Sequence, residues 1–567
     1  MKERLRAALR AALTQRLGVP PAELPDFSVE VPNLESHGDF ATNAAMLLAK
    51  RLRKAPREIA GLLGPALQAA PEVDRVEVAG PGFLNVFLKA DAWRALLWDV
   101  LAAGADYGRS ARERPARVMV EFVSANPTGP LHFGHGRGAV VGDVVARLLA
   151  FSGHQVQREF YVNDAGKQVR NLVLSMVHWL RKDRGLPGEL PADGYHGAYV
   201  ADLARAAPAE LTRFLPGEPD EASLVALERF GVAAMLDAIR RDLDDFGVAM
   251  DRFSSERELL GSTRLAELLQ ELQARGVYEE RDGARWFLAD RFGDEKPRVL
   301  IKSDGSHTYF ANDLAYHLDK LRRGFERLIN VWGADHHGYV PRMRAALQAL
   351  GQPPEALEVI LVQMVSLLRD GQPVVLSKRA GDIVTLREVF EEVGRDAARF
   401  FFLLRGSDSQ MEFDLELAKR RSMDNPVYYV QYGHARLCSI LARARERGLP
   451  VPGLESRGAL SLAPLELPEE LRLVKKMAAL AEVVRRAADS CMPHQVVYYL
   501  QELTADFHSY YTTYGKTSPI LGGPAERVAA RLVLVLALRQ VVANSLGLLG
   551  VSAPERMESL GAEGEEG

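Results

Sequence analysis

The sequence predicts a multidomain α/β protein. Its centre is a doubly wound parallel sheet of the Rossmann type with an insertion, an α+β module precedes it, and an all-α helix bundle follows it. Apolar runs at 118–123 and 156–162 flank a Val/Leu pattern of helical spacing, which indicates a β-α-β unit. This α/β pattern stops near residue 183 and resumes near 304, and strand patterns disappear after about 411. We therefore expect domains at 1–112, 113–410 (insertion about 183–300) and 411–567.

Length and composition limit the classes of protein. A chain of 567 residues exceeds one ordinary core, and 47% hydrophobic with 26% charged residues is typical of soluble globular proteins. The net charge of -4 indicates no general nucleic-acid affinity, although a single basic face can still bind RNA. Two cysteines cannot form a disulfide framework, which favours a reducing cytoplasm. No apolar run approaches the ~20 residues of a membrane span, so no membrane association is expected.

The first module begins with an Arg-rich amphipathic segment, residues 1–17. A transit peptide is one interpretation, but Glu3 and the lack of a Ser-rich stretch fit it poorly. Leu5, Leu9 and Leu13 share one stripe, which predicts the first helix of a folded domain. Another helix is expected at 43–55, with strands at 27–31, 73–78 and 83–87. Nothing in this module indicates catalysis.

A loop that joins the first predicted strand to its helix carries His132, Gly134 and His135. A helix N-terminus attracts anions, and imidazoles there can donate hydrogen bonds to phosphate oxygens as negative charge builds. Gly134 and Gly136 permit close approach of a nucleotide. Two surface histidines that cap a helix are the alternative. Zinc is excluded because further ligands at suitable spacing are missing.

Two later loops add candidate nucleotide contacts. Ser377, Lys378 and Arg379 follow a Val/Leu-rich strand that we expect to close the same sheet, and Lys378 can neutralise triphosphate charge. Gly333, Asp335 and His336 follow the apolar strand at 328–332, at the sheet edge where ligands bind. Asp335-His336-His337 also resembles the manganese site of phosphoesterases, but a matching set of upstream aspartates is missing.

These motifs resemble those of the class I aminoacyl-tRNA synthetases, with residues 132–135 as the first signature of the class and residues 376–379 as the second. Nearly the whole chain is similar to the arginyl-tRNA synthetase family. The supporting stretches are 121–137, 161–168, 303–320, 333–339, 424–436 and 548–557. The resemblance implies that ATP with Mg²⁺ and L-arginine give arginyl-adenylate, and that arginine passes to the terminal ribose of tRNA(Arg). It also implies a cytoplasmic monomer without a bound structural metal, a tRNA-contacting N-terminal module, an anticodon-binding C-terminal domain, and tRNA binding before activation.

The resemblance also assigns the amino-acid pocket. Glu121 and Asn126 match positions that contact the substrate arginine, and Tyr309 and Asp313 match positions that hold its side chain. A guanidinium suits a bidentate carboxylate, and the spacing of Tyr309 and Asp313 places both on one helix face. An exposed helix acid is the alternative for Asp313.

One departure concerns the second signature, which in the class begins with a lysine. Here Val375 occupies that position, so the charge must come from elsewhere or be dispensed with. Arg379 is one candidate, and Arg117, which precedes the first signature, is another.

The third domain carries candidate tRNA contacts, Tyr428, Tyr432 and Arg436. Aromatic rings that stack on unpaired bases, beside cations for phosphates, suit single-stranded RNA. A solvated helix face over a tyrosine-rich core is the alternative. Three functions therefore compete: the arginine ligase, a metal-dependent phosphoesterase, and a nucleic-acid-binding chain that has lost catalysis.

Overall fold

The computed structural model describes residues 2–32, 34–112, 114–374 and 384–557. They divide into two compact units. The first contains the described residues of 1–107, 437–479 and 505–541, and the second contains those of 108–436, 480–504 and from 542 onward. Each unit therefore combines segments that are distant in sequence.

The N-terminal segment is an α+β module. Its elements are α1 (Lys2–Leu17), β1 (Val29–Glu30), β2 (Phe40–Thr42), α2 (Ala44–Leu52), α3 (Pro56–Gln68), β3 (Val73–Ala79), β4 (Phe83–Leu88) and α4 (Ala90–Ala103). The strands form an antiparallel sheet in the order β1-β2-β4-β3. Leu5, Leu9 and Leu13 are buried, which confirms that α1 belongs to the folded module. Elements β2, α3 and α4 were not predicted from the sequence.

An α/β region follows this module. Its elements are β5 (Arg117–Glu121), α5 (Phe133–Phe151), β6 (Gln155–Val162), α6 (Lys167–Lys182), α7 (Ala198–Arg205), α8 (Glu221–Asp245), β7 (Arg252–Ser255), α9 (Glu256–Leu260), α10 (Arg264–Ala274), β8 (Tyr278–Arg281), β9 (Ala284–Phe287), β10 (Arg298–Ile301), α11 (Tyr309–Arg322), β11 (Arg327–Gly333), α12 (Val340–Ala349) and β12 (Leu357–Val362).

Five parallel strands form the central sheet in the order β12-β11-β5-β6-β7. Val118, Met119 and Val120 of β5 are fully buried, as expected for a parallel strand covered on both faces. The chain runs from β5 outward through β6 to β7 and then returns to the other side of β5 with β11. The strand order therefore reverses between β5 and β11, which is where open α/β sheets bind ligands.

The segment predicted as an insertion, about 183–300, contributes one strand to this sheet. Strand β7 pairs in parallel with β6, with Phe160 opposite Phe253. Its sequence, Arg-Phe-Ser-Ser, contains one apolar residue, so hydrophobic periodicity did not reveal it. Strands β8, β9 and β10 form a separate antiparallel sheet in the order β10-β9-β8.

A smaller sheet follows β12. Its region contains β13 (Val365–Arg369), β14 (Gln372–Pro373), α13 (Leu386–Val393), α14 (Arg395–Phe402), β15 (Met411–Asp414) and α15 (Leu415–Lys419). Strand β13 pairs with β14 and, in parallel, with β15. The strand before the second signature was expected to close the central sheet, and this expectation is wrong because β13 belongs to a different sheet. Strands also continue past residue 411, since β15 extends to Asp414.

Long helices make up the rest of the described chain: α16 (Pro426–Glu446), α17 (Pro468–Ala478), α18 (Leu480–Asp489), α19 (His494–Tyr514) and α20 (Ala525–Leu548). Helices α17 and α18 are separated by Ala479 alone. In the first unit, the buried carboxylate of Glu470 accepts hydrogen bonds from Tyr510 (2.9 Å) and Arg531 (2.7 Å). Helix α20 is long and apolar enough to cross a membrane by length and composition alone, but 67% of its most apolar window is buried within the protein. It therefore packs as a core helix.

Candidate active site

The candidate site lies at the carboxyl end of β5. Glu121, the last residue of this strand, lies opposite Asn330 of β11. Val123 (φ 68°) and Ser124 (φ 41°) then adopt left-handed backbone conformations, which are uncommon outside glycine and concentrate at functional sites. The resulting turn lets the Ser124 hydroxyl donate to Glu121 Oε1 at 3.1 Å and accept the backbone N–H of Tyr161 at 3.1 Å.

A hydrogen-bonded chain connects Glu121 to helix α11. The fully buried Lys320 donates to Glu121 Oε2 at 2.5 Å and to Asn330 Oδ1 at 3.2 Å. The Asn330 amide donates to His317 Nε2 at 2.9 Å, and His317 Nδ1 donates to the carbonyl of Asp313 at 2.7 Å. Burial, together with the Lys320 ammonium, holds the pKa of His317 well below its usual range. The ring is therefore neutral, as this pattern of donors and acceptors requires.

Two further carboxylates lie near Glu121. The Tyr339 hydroxyl donates to Asp313 Oδ2 at 2.6 Å. Burial raises the pKa of Asp313 to about 7. The hydrogen bond from Tyr339 opposes this rise, and the negative charges of Glu121 and Glu256 increase it. Glu256 is buried and accepts a hydrogen bond from Asn312 at 2.8 Å, and its burial raises its own pKa. A cation that enters this region is therefore attracted by several poorly solvated carboxylates.

Glu256 was not predicted as a site residue from the sequence. It begins α9 directly after β7, and this strand was itself not recognised. An acidic residue at the carboxyl end of a parallel strand is the signal that identifies it, but that signal exists only once the strand is known.

The remaining predicted arginine contacts border the same region. Tyr309 is the first residue of α11, one helical turn before Asp313, and is 76% exposed. Asn126 lies in the loop after β5, where its amide donates to Gln168 Oε1 at 2.5 Å. The structure thus brings Glu121 and Asp313 together, whereas Asn126 lies in the loop after β5 and Tyr309 lies one helical turn from Asp313.

The two histidines of the first signature stack at the start of α5. His132 immediately precedes the helix, and its ring centroid lies 3.6 Å from that of His135. The His132 backbone N–H donates to His135 Nδ1 at 3.2 Å. Because Nδ1 is the acceptor, a neutral His135 carries its proton on Nε2.

The two glycines of this signature have different surroundings. Gly134 is exposed, and a Cβ there would lie 3.0 Å from the His132 ring. Gly136 is buried, and a Cβ there would lie 2.7 Å from Phe402 and 2.8 Å from Leu386. Close packing accounts for the glycine at position 136, and the approach of ATP to Gly134 and Gly136 stays a prediction.

The loop after β11 faces solvent. Gly333 ends the strand opposite Val362 of β12, and a 3-10 turn over Ala334–Tyr339 follows. The side chains of Asp335 and His336 are 82% and 60% exposed, with 3.6 Å between Oδ2 and Nε2. Over 2–32, 34–112, 114–374 and 384–557, no group of three or more His, Cys, Asp or Glu is arranged to hold a metal ion.

Ser377, Lys378 and Arg379 lie outside the described residues. The chain beyond them returns directly to the first signature: the Val384 carbonyl accepts the N–H of Phe133 at 3.0 Å, and the Leu386 N–H donates to Leu131 at 2.8 Å.

The alternative cation, Arg117, does not belong to the site. It begins β5, and its guanidinium donates to the Arg323 carbonyl at 2.8 Å. Four residues of extended strand, about 13 Å, separate it from Glu121. The interpretation of Arg117 as a substitute for the missing lysine is therefore wrong.

The predicted tRNA contacts form one stack on α16. Tyr428 is 6% exposed, and its ring is parallel to that of Tyr432 at a centroid distance of 5.9 Å. The Arg436 guanidinium lies 4.8 Å from the Tyr432 ring and donates to its hydroxyl at 3.2 Å. A buried ring cannot stack on a base, so Tyr428 is a core residue, whereas Tyr432 and Arg436 are half-buried.

Family models match most of the chain. Residues 97–189 and 221–406 match the catalytic domain of class I (R) tRNA synthetases, and residues 1–88 match the arginyl tRNA synthetase N terminal domain. Residues 430–557 match the DALR anticodon binding domain. The arginine–tRNA ligase of Citrifermentans bemidjiense is 48% identical over 562 residues, which cover 98% of this chain and 100% of that protein. The chain belongs to the arginyl-tRNA synthetase family.

Further relatives and solved structures support the same family. The arginine–tRNA ligase of Moorella thermoacetica is 48% identical over 98% of this chain and 99% of that protein. The arginyl-tRNA synthetase structure from Thermus thermophilus has a TM-score of 0.75 at 26% identity, and the match covers 98% of this chain and 100% of that one. An arginyl-tRNA synthetase structure from Campylobacter jejuni has a TM-score of 0.74 at 34% identity, with 83% and 100% coverage.

Family membership decides between the three competing functions. Arginyl-tRNA synthetases are ATP-using ligases that join arginine to tRNA for translation, and both the catalytic and the anticodon-binding regions are present in this chain. A metal-dependent phosphoesterase and a chain without catalysis are therefore set aside.

Proposed function

We propose that this synthetase activates L-arginine with ATP at the carboxyl ends of β5 and β11 and then transfers arginine to the 3′-terminal ribose of tRNA(Arg). The arginine carboxylate attacks the α-phosphate of ATP, pyrophosphate leaves, and arginyl-adenylate forms. The supporting observation is the grouping of Glu121, Asp313 and Glu256 at the point where the strand order reverses.

The arginine side chain is bound by Asp313 and Glu256, with Tyr309 beside it. A planar guanidinium can satisfy two carboxylates at once through its five N–H groups. Glu121 and Asn126 contact the backbone end of the amino acid. Lys320 forms an ion pair with Glu121 and fixes its orientation, so that the carboxylate does not turn toward another hydrogen-bond donor.

The triphosphate lies at the N-terminus of α5, where Nε2 of His135 and the His132 ring stabilise charge that develops on the phosphates. Gly134 allows the close approach. The nucleoside contacts Gly333, Asp335 and His336, and Ser377, Lys378 and Arg379 provide further phosphate contacts. Mg²⁺ enters bound to the triphosphate as part of the substrate.

The anticodon-binding region and the N-terminal module contact tRNA(Arg), and Tyr432 and Arg436 provide one contact surface. The synthetase acts in the cytoplasm as a monomer and does not associate with a membrane.

Arginine- and tRNA-dependent exchange of pyrophosphate into ATP tests this function. We expect exchange with L-arginine in the presence of tRNA(Arg), and none with lysine. Absence of exchange with any amino acid, with tRNA(Arg) present, would contradict the proposal. Chelator-sensitive phosphodiester cleavage without an amino acid would instead support the phosphoesterase.

A further inference from the structure

We propose that Tyr161 determines specificity for arginine, because its hydroxyl accepts a hydrogen bond from the guanidinium of the bound substrate. This inference rests on the proposed function and assigns to that site a residue outside the predicted pocket.

The backbone and the ring of Tyr161 are both held in place. Tyr161 lies near the end of β6, opposite Ser254 of β7, and its backbone N–H donates to Ser124 in the turn after β5. Its ring packs on that of Tyr316 of α11, with 4.5 Å between centroids. A side chain fixed in this way cannot easily rotate to find a new partner for its hydroxyl.

The hydroxyl itself is buried and makes no hydrogen bond of normal geometry to any residue that the structure describes. It lies beside Glu256 and lowers the pKa of that carboxyl, against the larger effect of burial. Burial, followed by the charges of Glu256, Asp313 and Glu121, raises the pKa of Tyr161, so the phenol stays protonated. A buried and unpaired hydroxyl is destabilising, and a bound ligand that donates to it removes that cost.

A guanidinium satisfies this hydroxyl, and an ammonium does so less well. Guanidinium N–H groups point in several directions in one plane, so some can bind carboxylates while another reaches a neutral acceptor. The ammonium of lysine carries its three N–H groups on one atom. When arginine is bound, the Tyr161 hydroxyl accepts a hydrogen bond from the guanidinium and can donate its own proton to Glu256.

The test compares Tyr161→Phe with Tyr316→Phe in the full-length enzyme, assayed by pyrophosphate exchange with tRNA(Arg) present. Tyr316 is a matched control because its ring belongs to the same stack, but its hydroxyl already donates to Glu159 at 2.7 Å. We expect Tyr161→Phe to raise KM for arginine about tenfold, as for loss of a hydrogen bond to a charged group. The inhibition constant of lysine and KM for ATP should stay within about twofold.

Thermal unfolding separates this role from a structural one. Tyr161→Phe should leave Tm unchanged or raise it, because it removes an unpaired hydroxyl. Tyr316→Phe should lower Tm and leave KM for arginine within about twofold. An unchanged KM for arginine in Tyr161→Phe, or equal losses for arginine and lysine, would overturn the inference. Failure of the unmodified enzyme to exchange with arginine would instead overturn the proposed function.

Discussion

The hydroxyl of Tyr339 donates a 2.6 Å hydrogen bond to the carboxylate of Asp313. This contact joins the turn after β11 to the first turns of α11. It orients a carboxylate whose burial raises its pKa to about 7. The turn proposed to bind the nucleoside and the carboxylate proposed to bind arginine are therefore directly connected.

Arginine affinity should depend on pH because of Asp313. A guanidinium binds the ionised carboxylate, and without ligand Asp313 is increasingly protonated below pH 7. We expect the Kd for arginine to rise about tenfold per pH unit below pH 7 and to level off above it. Isothermal titration calorimetry between about pH 6 and pH 8 measures this dependence. A constant Kd over that range would contradict the prediction.

The same shift has a consequence for stability. The folded-state pKa of Asp313 lies above its unfolded value, so the folded protein holds the proton more tightly. Its ionisation therefore destabilises the fold as pH rises through 7. Asp313→Asn should raise Tm at pH 8 more than at pH 5 and should abolish the pH dependence of arginine binding. Asp304→Asn, in an exposed loop, is the control.

His135 should act on the activation step. His135→Ala removes the Nε2–H donor, so kcat for pyrophosphate exchange should fall about 100-fold or more, while the Kd for arginine changes little. His135→Asn keeps an acceptor for the His132 N–H but lacks the distal donor, and it should be nearly as slow. Equal losses in exchange and in arginine binding would make His135 a structural residue.

The source of the missing positive charge can be tested with two arginines. Arg379→Gln should lower kcat for exchange, because this residue belongs to the second signature. Arg117→Gln should leave exchange unchanged, since Arg117 lies at the opposite end of β5. Slower exchange in Arg117→Gln at unchanged Tm would reverse this assignment.

The buried pair of Lys320 and Glu121 should behave as a unit. Lys320→Met leaves a buried carboxylate without its cation and should cost about 3–5 kcal/mol in the free energy of unfolding, measured by urea denaturation. Adding Glu121→Gln should restore most of that stability, although arginine binding remains weak. Additive losses in the double variant would show that the two side chains are not coupled.

Several features of this protein follow from its sequence alone. Hydrophobic periodicity within a short segment can be recognised in a sequence. It predicted the strand and helix on either side of His132 and His135, the amphipathic α1, and the helices after Asp414. Asp313 and Glu121 were predicted because they lie in stretches that resemble the family.

The tertiary structure decided what depends on distant segments. Tyr161 and Glu256 reach the site because β6 lies beside β5 and β7 lies beside β6, and the polar sequence of β7 gives no periodic signal. Burial assigned Tyr428 to the core and gave Gly136 a packing role, and strand direction excluded Arg117. Periodicity reports which face of an element is apolar, but only the order of strands in the sheet decides which side chains share a pocket.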